Sequence, residues 1–324
     1  MGVSWRVCAD IGKGLWKRGA VSRPKRDDLA FIKDASALWN TSGAELGFAS
    51  RVFTQTSLPY RDPGAIAAWG RRNGKIALVV TPGMNITPTG EALSTGYPFG
   101  VVPRLLLTWL TTEAVRKKSP EIVLGESLAD FMRQLGMAPD GRTSRRLKDQ
   151  MLRLFRSQIV VTYDDAERSA GARMGVAERW NLWWSPRDRS EQAGLLPSMV
   201  TLSGEFFREA TERPVPISIE ALRLLSGSPM RLDIYAWLTY RMSRLPRRTQ
   251  IPWSALLLQF GSQATTKQAR HKFRSDFTDH LAKVLVVYPD AKVTVEPEGL
   301  ILLPSSTHIG PRHLRAISRG PRPH

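Results

Sequence analysis

The stretch WLTTEAVRKKSPEIVLGESLADFMRQLGMAPDGRTSRRLKDQMLRLFRSQIVV (residues 109–161) is answered later in the chain by WLTYRMSRLPRRTQIPWSALLLQFGSQATTKQARHKFRSDFTDHLAKVLVV (residues 237–287). Each opens on Trp-Leu-Thr, passes through a basic stretch, an apolar helix pattern and a basic helix pattern, and ends on an aliphatic triplet read as a strand, Ile159-Val160-Val161 or Leu285-Val286-Val287. Matching positions stay 125 to 128 residues apart, as Trp109 with Trp237, Leu128 with Trp253 and Val160 with Val286 show. In the middle helix Trp253, Leu256, Leu257, Phe260 and Gly261 take the places of Leu128, Phe131, Met132, Leu135 and Gly136. An offset that holds over successive elements marks a duplicated structural unit. Two helices, a basic third helix and a hairpin form the order of a winged helix, whose third helix can lie in a DNA groove.

Working outward, Val102, Leu105, Leu106, Trp109 and Leu110 fall on one helical stripe, as do Ile234, Trp237, Leu238 and Met242 in the second copy. The first basic helix is expected to start at Thr143 or Ser144 and to bury Leu147, Met151, Leu154 and Phe155. The second is expected to start with a Thr265 and Gln268 capping box and to bury Phe273, Phe277, Leu281 and Val284. A hairpin follows each: Gln158 to Tyr163 out and Glu178 to Trp184 back in the first, Val286 to Glu296 and Gly299 to Leu303 in the second.

The fold class is therefore α+β: two tandem winged-helix domains related by internal duplication, with a flexible basic N-terminal arm and a C-terminal tail. The expected boundaries are 1–45 for the arm, with one short helix near Asp27 to Trp39, 46–200 and 201–304 for the two domains, and 305–324 for a disordered basic tail. The first domain is preceded by a strand over Lys75 to Thr81 and by glycine- and proline-rich loops.

Lys and Arg outnumber Asp and Glu by 47 to 29, a net charge of +18 over 324 residues, which predicts attraction to a polyanion. No run approaches the roughly 20 apolar residues that span a bilayer, and no secretory or lipidation signal is visible, so a cytoplasmic protein without membrane contact is expected. One cysteine, Cys8, excludes an internal disulfide, and five histidines scattered from His271 to His324 offer no zinc constellation. No cofactor or metal is expected.

Helical phase places Arg142, Arg145, Asp149, Arg153 and Arg156 opposite the core stripe of the first basic helix. Guanidinium groups bind phosphate oxygens in pairs without reading sequence, so this face suits the DNA backbone. In the second, Lys267, Gln268, His271, Lys272, Ser275 and Thr278 point outward with Arg274 at the edge, while Arg270 falls near the buried side. That mixture of donors and acceptors suits base edges. A basic helix face is also what an ordinary solvated helix shows; its place in a repeated module of a +18 chain favours DNA. Of Trp180, Trp183 and Trp184, at least two are expected in the core.

Catalytic signals are poor. Gly70 to Ile76 has one residue too few between its glycines for a phosphate loop and lacks the Ser or Thr that would hold magnesium. No two histidines are separated by a single residue, as a metal-dependent nicking enzyme would want, and Asp164-Asp165 reads as a hairpin tip.

The segments SLPYRDPG (57–64), FGVVPRLLLTWLTTEAVRKKSPEIVLGESLADFMRQLGM (99–137) and RRLKDQMLRLFRSQI (145–159) resemble the RepA type of plasmid replication initiator. That resemblance implies a non-enzymatic protein that binds double-stranded DNA repeats (iterons) at a plasmid origin, opens A·T-rich duplex and engages the host replicative helicase and host initiator. It also implies a homodimer in at least one state, autorepression of the gene, and a division in which the first module dimerises or holds backbone while the second reads bases. Two alternatives share the sequence: a winged-helix transcriptional repressor and, less favoured, an origin-nicking endonuclease.

Overall fold

A computed structural model describes residues 26–40, 45–182, 198–261 and 266–310. In chain order the elements are α1 (Arg26–Asn40), β1 (Leu46–Ala49), α2 (Arg51–Gln55), β2 (Trp69–Asn73), β3 (Ile76–Thr81), β4 (Met84–Ile86) and β5 (Ala92–Ser94). There follow α3 (Val101–Lys117), β6 (Glu121–Gly125), α4 (Leu128–Gln134), α5 (Gly141–Arg156), β7 (Gln158–Asp164), β8 (Ser169–Met174), β9 (Ala177–Asn181), β10 (Ser198–Leu202) and α6 (Gly204–Glu212). The chain continues through β11 (Val215–Ser218), α7 (Ile219–Leu225), α8 (Pro229–Met242), β12 (Thr249–Pro252), α9 (Trp253–Phe260), α10 (Lys267–Val287), β13 (Val293–Glu296) and β14 (Gly299–Leu302). Two compact units result: one is Phe48–Pro214, the other joins residues up to Gly47 with Val215 onward.

Each unit holds a winged helix. In the first, α3, β6, α4, α5, β9 and β10 come in that order, with β7 and β8 inserted between α5 and β9, and the sheet order is β6-β10-β9. In the second, α8, β12, α9, α10, β13 and β14 repeat that order with the sheet β12-β14-β13. In both, the strand between the first two helices pairs antiparallel with the last strand of the hairpin. The duplication is thus one of topology as well as pattern.

The cores use the predicted stripes with different chemistry. In the first unit Leu106, Leu110, Leu147, Met151, Leu154 and Val200 are fully enclosed, and Trp109 meets Phe131 edge-on at 4.9 Å. In the second, Trp237 meets Phe260 at 5.4 Å, one turn further along the middle helix, and Phe260 and Phe277 lie 5.3 Å apart. Burying each such ring contributes about 1.5–3 kcal/mol, so both modules are anchored on the same tryptophan.

Several expectations change at the strands. Leu285-Val286-Val287 is the last turn of α10, not a strand, because Leu281, Val284, Leu285 and Val287 continue one buried helical stripe and packing overrides β propensity. Its counterpart Ile159-Val160-Val161 is indeed a strand, but β7 belongs to an insertion: it pairs with β3 and β8 in the four-stranded sheet β2-β3-β7-β8. The hairpin of the first module is therefore β9 with β10, and the apolar run Met199 to Leu202 is its second strand.

The first unit extends to Pro214 rather than ending at residue 200, since α6 continues from β10 with Ser203 capping it through Phe206 N and buries Phe206 and Ala210. Residues 26–40 of the expected arm form a helix that packs on α7 and α10, with Lys283 Nζ 5.9 Å from the Phe31 ring. The expected tail also begins later. Tyr288 stacks on His308 at 4.9 Å, the Tyr235 hydroxyl and His308 Nδ1 lie 2.7 Å apart, and Ile309 is buried, so residues 305–310 are part of the second unit. Residues 1–25 and 311–324, and with them the rest of arm and tail, lie outside the described residues.

Candidate nucleic-acid interface

Helix α5 begins earlier than Thr143 because Asp140 is its cap: its carboxylate accepts from Arg142 N and Thr143 N, both at 2.9 Å. The Thr143 backbone N–H, with its hydroxyl, holds the Asp140 carboxyl below the usual carboxylate range. From this start the exposed side chains are Arg142, Arg145, Arg146 and Asp149. Arg146 is one turn beyond Arg142, a spacing that could have placed it on the same face from the sequence.

The other two predicted arginines of this helix have structural partners. Arg153 Nη1 reaches Asp62 at 2.9 Å, its Nε reaches Asp149 at 3.0 Å, and its guanidinium lies 5.5 Å from the Phe99 ring. Arg156 is half-buried, and a Cβ at Gly83 would stand 2.5 Å from its carbonyl oxygen. The last turns of α5 are thus covered by the inserted segments, and only its N-terminal half presents free cationic surface. Helical phase alone could not show this, because the covering groups come from residues 62, 83 and 97–99.

Those inserted segments are fastened by one buried cation. Arg104, only 7% exposed, donates to Leu58 O at 2.7 Å, Pro59 O at 3.2 Å and Gly100 O at 2.7 Å, and lies 5.0 Å from the Tyr60 ring. It ties the SLPYRDPG loop to the start of α3.

In the second unit Thr266, not Thr265, caps α10, its hydroxyl accepting from Ala269 N at 3.2 Å; Thr265 lies outside the described residues. Lys267, Gln268, His271, Lys272 and Ser275 are exposed as predicted, and Arg270 joins them instead of facing the core. Lys272 pairs with Asp276 at 3.1 Å along the surface, an interaction of small stability value. Thr278 is buried at 4% exposure and its hydroxyl donates to Arg274 O within the helix, so it does not face outward.

Arg274 is a brace. Its guanidinium lies 5.1 Å from the Trp253 ring and donates to Pro297 O at 3.1 Å and Glu296 O at 3.4 Å. The Trp253 indole N–H donates to Glu296 O at 3.1 Å. Together they fix the hairpin turn of β13 and β14 against the outer side of α10. That turn carries Glu296 and Glu298, so the cationic surface of this module is the helix and not the hairpin tip.

Trp180 is half-buried with its ring 5.9 Å from Phe155, while Trp183 and Trp184 lie outside the described residues. Asp165 closes its turn by accepting from Glu167 N and Arg168 N and pairs with Lys75 at 3.0 Å, the behaviour of a hairpin tip. Among the described residues no cluster of His, Cys, Asp and Glu could hold a metal, and no helix is long and apolar enough to cross a membrane.

Two crystal structures of domains 2 and 3 of RctB resemble the chain. One is 14% identical, with a TM-score of 0.48, covering 78% of this chain and 95% of that one. The other is 13% identical, with a TM-score of 0.46, covering 77% and 94%. No curated protein sequence matches. The family model described as plasmid-encoded RepA protein matches residues 97–254, from Tyr97 ahead of α3 through α8 and β12 to Ser254 in α9. Over that span this chain matches the family of plasmid-encoded RepA proteins.

Proposed function

We propose that the protein is a plasmid replication initiator that recognises repeated origin sequences in double-stranded DNA and acts by binding, not by catalysis. The observation that carries this reading is the RepA family match, which takes in the whole first module and the first helix of the second and ends at Ser254, ahead of α10. The geometry supports a division of labour. The exposed Arg142, Arg145 and Arg146 of α5 offer charge without base-reading groups, and so hold phosphates. Lys267, Gln268, Arg270, His271, Lys272 and Ser275 of α10 offer mixed donors and acceptors to base edges in the major groove. Arg274 orients that helix relative to its hairpin, while Arg153, Arg156 and Thr278 belong to the fold and leave the contact set.

Opening of A·T-rich duplex, contacts with the host helicase and host initiator, homodimerisation and autorepression follow from the family reading. The test is binding to direct repeats flanking the gene. Gln268→Ala and His271→Ala should relax preference at single base positions, while Arg142→Gln, Arg145→Gln and Arg146→Gln together should weaken all sequences alike and reduce the salt slope by about 3. Equal loss of specificity from both sets would overturn the division. Failure of the chain to support replication of a circle bearing those repeats, with repression of its promoter intact, would establish a repressor instead.

A further inference from the structure

The hairpin of β4 and β5 lies outside the repeated module pattern and carries an exposed large apolar side chain on each face. Its register pairs Met84 with Ser94, Asn85 with Leu93 and Ile86 with Ala92. Directly paired residues project from the same face, so Met84 and Ile86 share one face and Leu93 stands on the other. Met84 is 56% exposed, Ile86 63% and Leu93 46%, and every other strand residue is exposed as well. The tip is ordered: Thr87 N donates to Glu91 O at 2.9 Å, Glu91 N donates to the Thr87 hydroxyl at 3.0 Å, and Pro88 lies between them.

The root of the hairpin is fixed to α5. Thr95 N donates to Gly83 O at 2.9 Å, closing the base. Gly83 lies flat on the backbone of Arg156, and Gly96, at φ +75°, lies so close to Arg153 that a Cβ would come within 2.6 Å of its Nη1. Residues 142, 145, 149, 153 and 156 form one helical face. The ribbon therefore leaves the module at the C-terminal end of the face whose N-terminal end exposes Arg142 and Arg145.

We propose that this ribbon is a DNA wedge: beside the duplex segment held by α5 it enters the minor groove and drives Met84, Ile86 or Leu93 between base pairs, bending and unstacking the duplex. The inference rests on the reading of α5 as a phosphate-holding helix. Met, Ile, Leu and Pro are the side chains that wedge base steps, and a narrow ribbon with a large apolar side chain on each face suits a slot with two walls. It suits a second copy of the chain poorly, because a stable protein contact needs a continuous patch of about 800 Å² on each partner. The favoured target is a step that unstacks easily, such as TA. Glu91, the one charge in the ribbon, is repelled by phosphates, so the ribbon adds no electrostatic affinity of its own.

The test uses the full chain with a short duplex that carries a central TA step, end labels for energy transfer and 2-aminopurine at that step. Wild type should bend the duplex and raise the 2-aminopurine signal. A Met84→Ser, Ile86→Ser, Leu93→Ser variant should keep its melting temperature, keep affinity within about threefold and lose both signals. Undiminished bending in that variant overturns the wedge, as does a wild type that binds without bending. A variant that keeps bending but shifts from dimer to monomer in sedimentation assigns the ribbon to a second copy. The Arg142→Gln, Arg145→Gln, Arg146→Gln variant is run alongside: unchanged affinity there counts against the reading of α5, whereas lost bending at retained affinity in the hairpin variant bears on the wedge alone.

Discussion

The two modules share a topology and differ in what surrounds the third helix. In the first, the strands, loops and hairpin gathered around α5 enclose its C-terminal half, leaving three exposed arginines at its start. In the second, nothing is inserted between α10 and its hairpin, and a longer helix displays six polar or charged residues over its first turns. The shared scaffold thus presents two kinds of surface, one cut down by inserted segments and one left open. The same contrast appears at a single position: Arg104 of the first module corresponds to Leu232 of the second, and both are buried.

Exchanging the buried cation for its apolar counterpart has the largest expected effect. Arg104→Leu installs the residue the second module uses, yet it takes the guanidinium donors away from the carbonyls of Leu58, Pro59 and Gly100, of which Pro59 O keeps Gly100 N at 3.0 Å. The expected cost is about 3 kcal/mol, confined to the first unit, because buried unsatisfied acceptors bear the full desolvation penalty. Hydrogen exchange resolved by segment should show residues 57–64 and 100–110 opening while residues 229–302 keep their protection. A neutral substitution would mean that the inserted loop is held by other contacts and that the modules are more alike than Arg104 suggests.

Acid should separate the units next. Burial first of all pushes His308 and His280, both in the second unit, down to about 4 from their ordinary 6.5. The folded state then binds fewer protons than the unfolded chain, so this contribution is complete above about pH 6.5 and is lost as pH falls toward 4, on the order of 2 kcal/mol per histidine. Residues 48–214 contain no histidine. Between pH 6.5 and 4.5 the second unit should lose protection while the first does not, and His308→Gln should flatten part of that dependence. Parallel loss in both units would show that carboxylates control acid stability in the whole chain.

The third contrast is functional and smaller per residue. At a matched repeat Gln268→Ala and His271→Ala should each cost about 1–3 kcal/mol, and almost nothing at an unrelated sequence. Removal of Arg145 should cost the same on both. Filter binding at several salt concentrations distinguishes these outcomes, and equal behaviour would erase the distinction between a module that holds and one that reads.

The helices and their core stripes were legible because a 3.6-residue period and a repeated tryptophan are local signals. Thr143 and Thr265 lost the caps to Asp140 and Thr266 by a few residues at most, since each stands in a run of competent capping groups. What was not legible came from distant residues. Arg153 looked like a phosphate ligand until Asp62 met it across 91 residues of chain, and Ile159-Val160-Val161 looked like the module's own hairpin until β3 claimed it. His308 looked like tail because nothing nearby in sequence announces the cradle of Tyr235 and Tyr288.

The smallest expected effect sharpens the outward face of α10. Thr278 was placed there by phase, yet it is buried and its hydroxyl donates only to Arg274 O, one turn back in the same helix. Val keeps the β-branched shape and gives up an intrahelical bond whose acceptor already serves the helix, so Thr278→Val should cost less than about 1 kcal/mol of stability. It should leave DNA affinity and sequence preference unchanged in the same binding assay in which Ser275→Ala, at an exposed position, alters preference at one base pair. If Thr278→Val changed preference and Ser275→Ala did not, the helix would meet DNA through a face rotated from the one its exposure defines, and Arg274, on the far side of Thr278 from Ser275, would have to leave its brace on Trp253 to allow it.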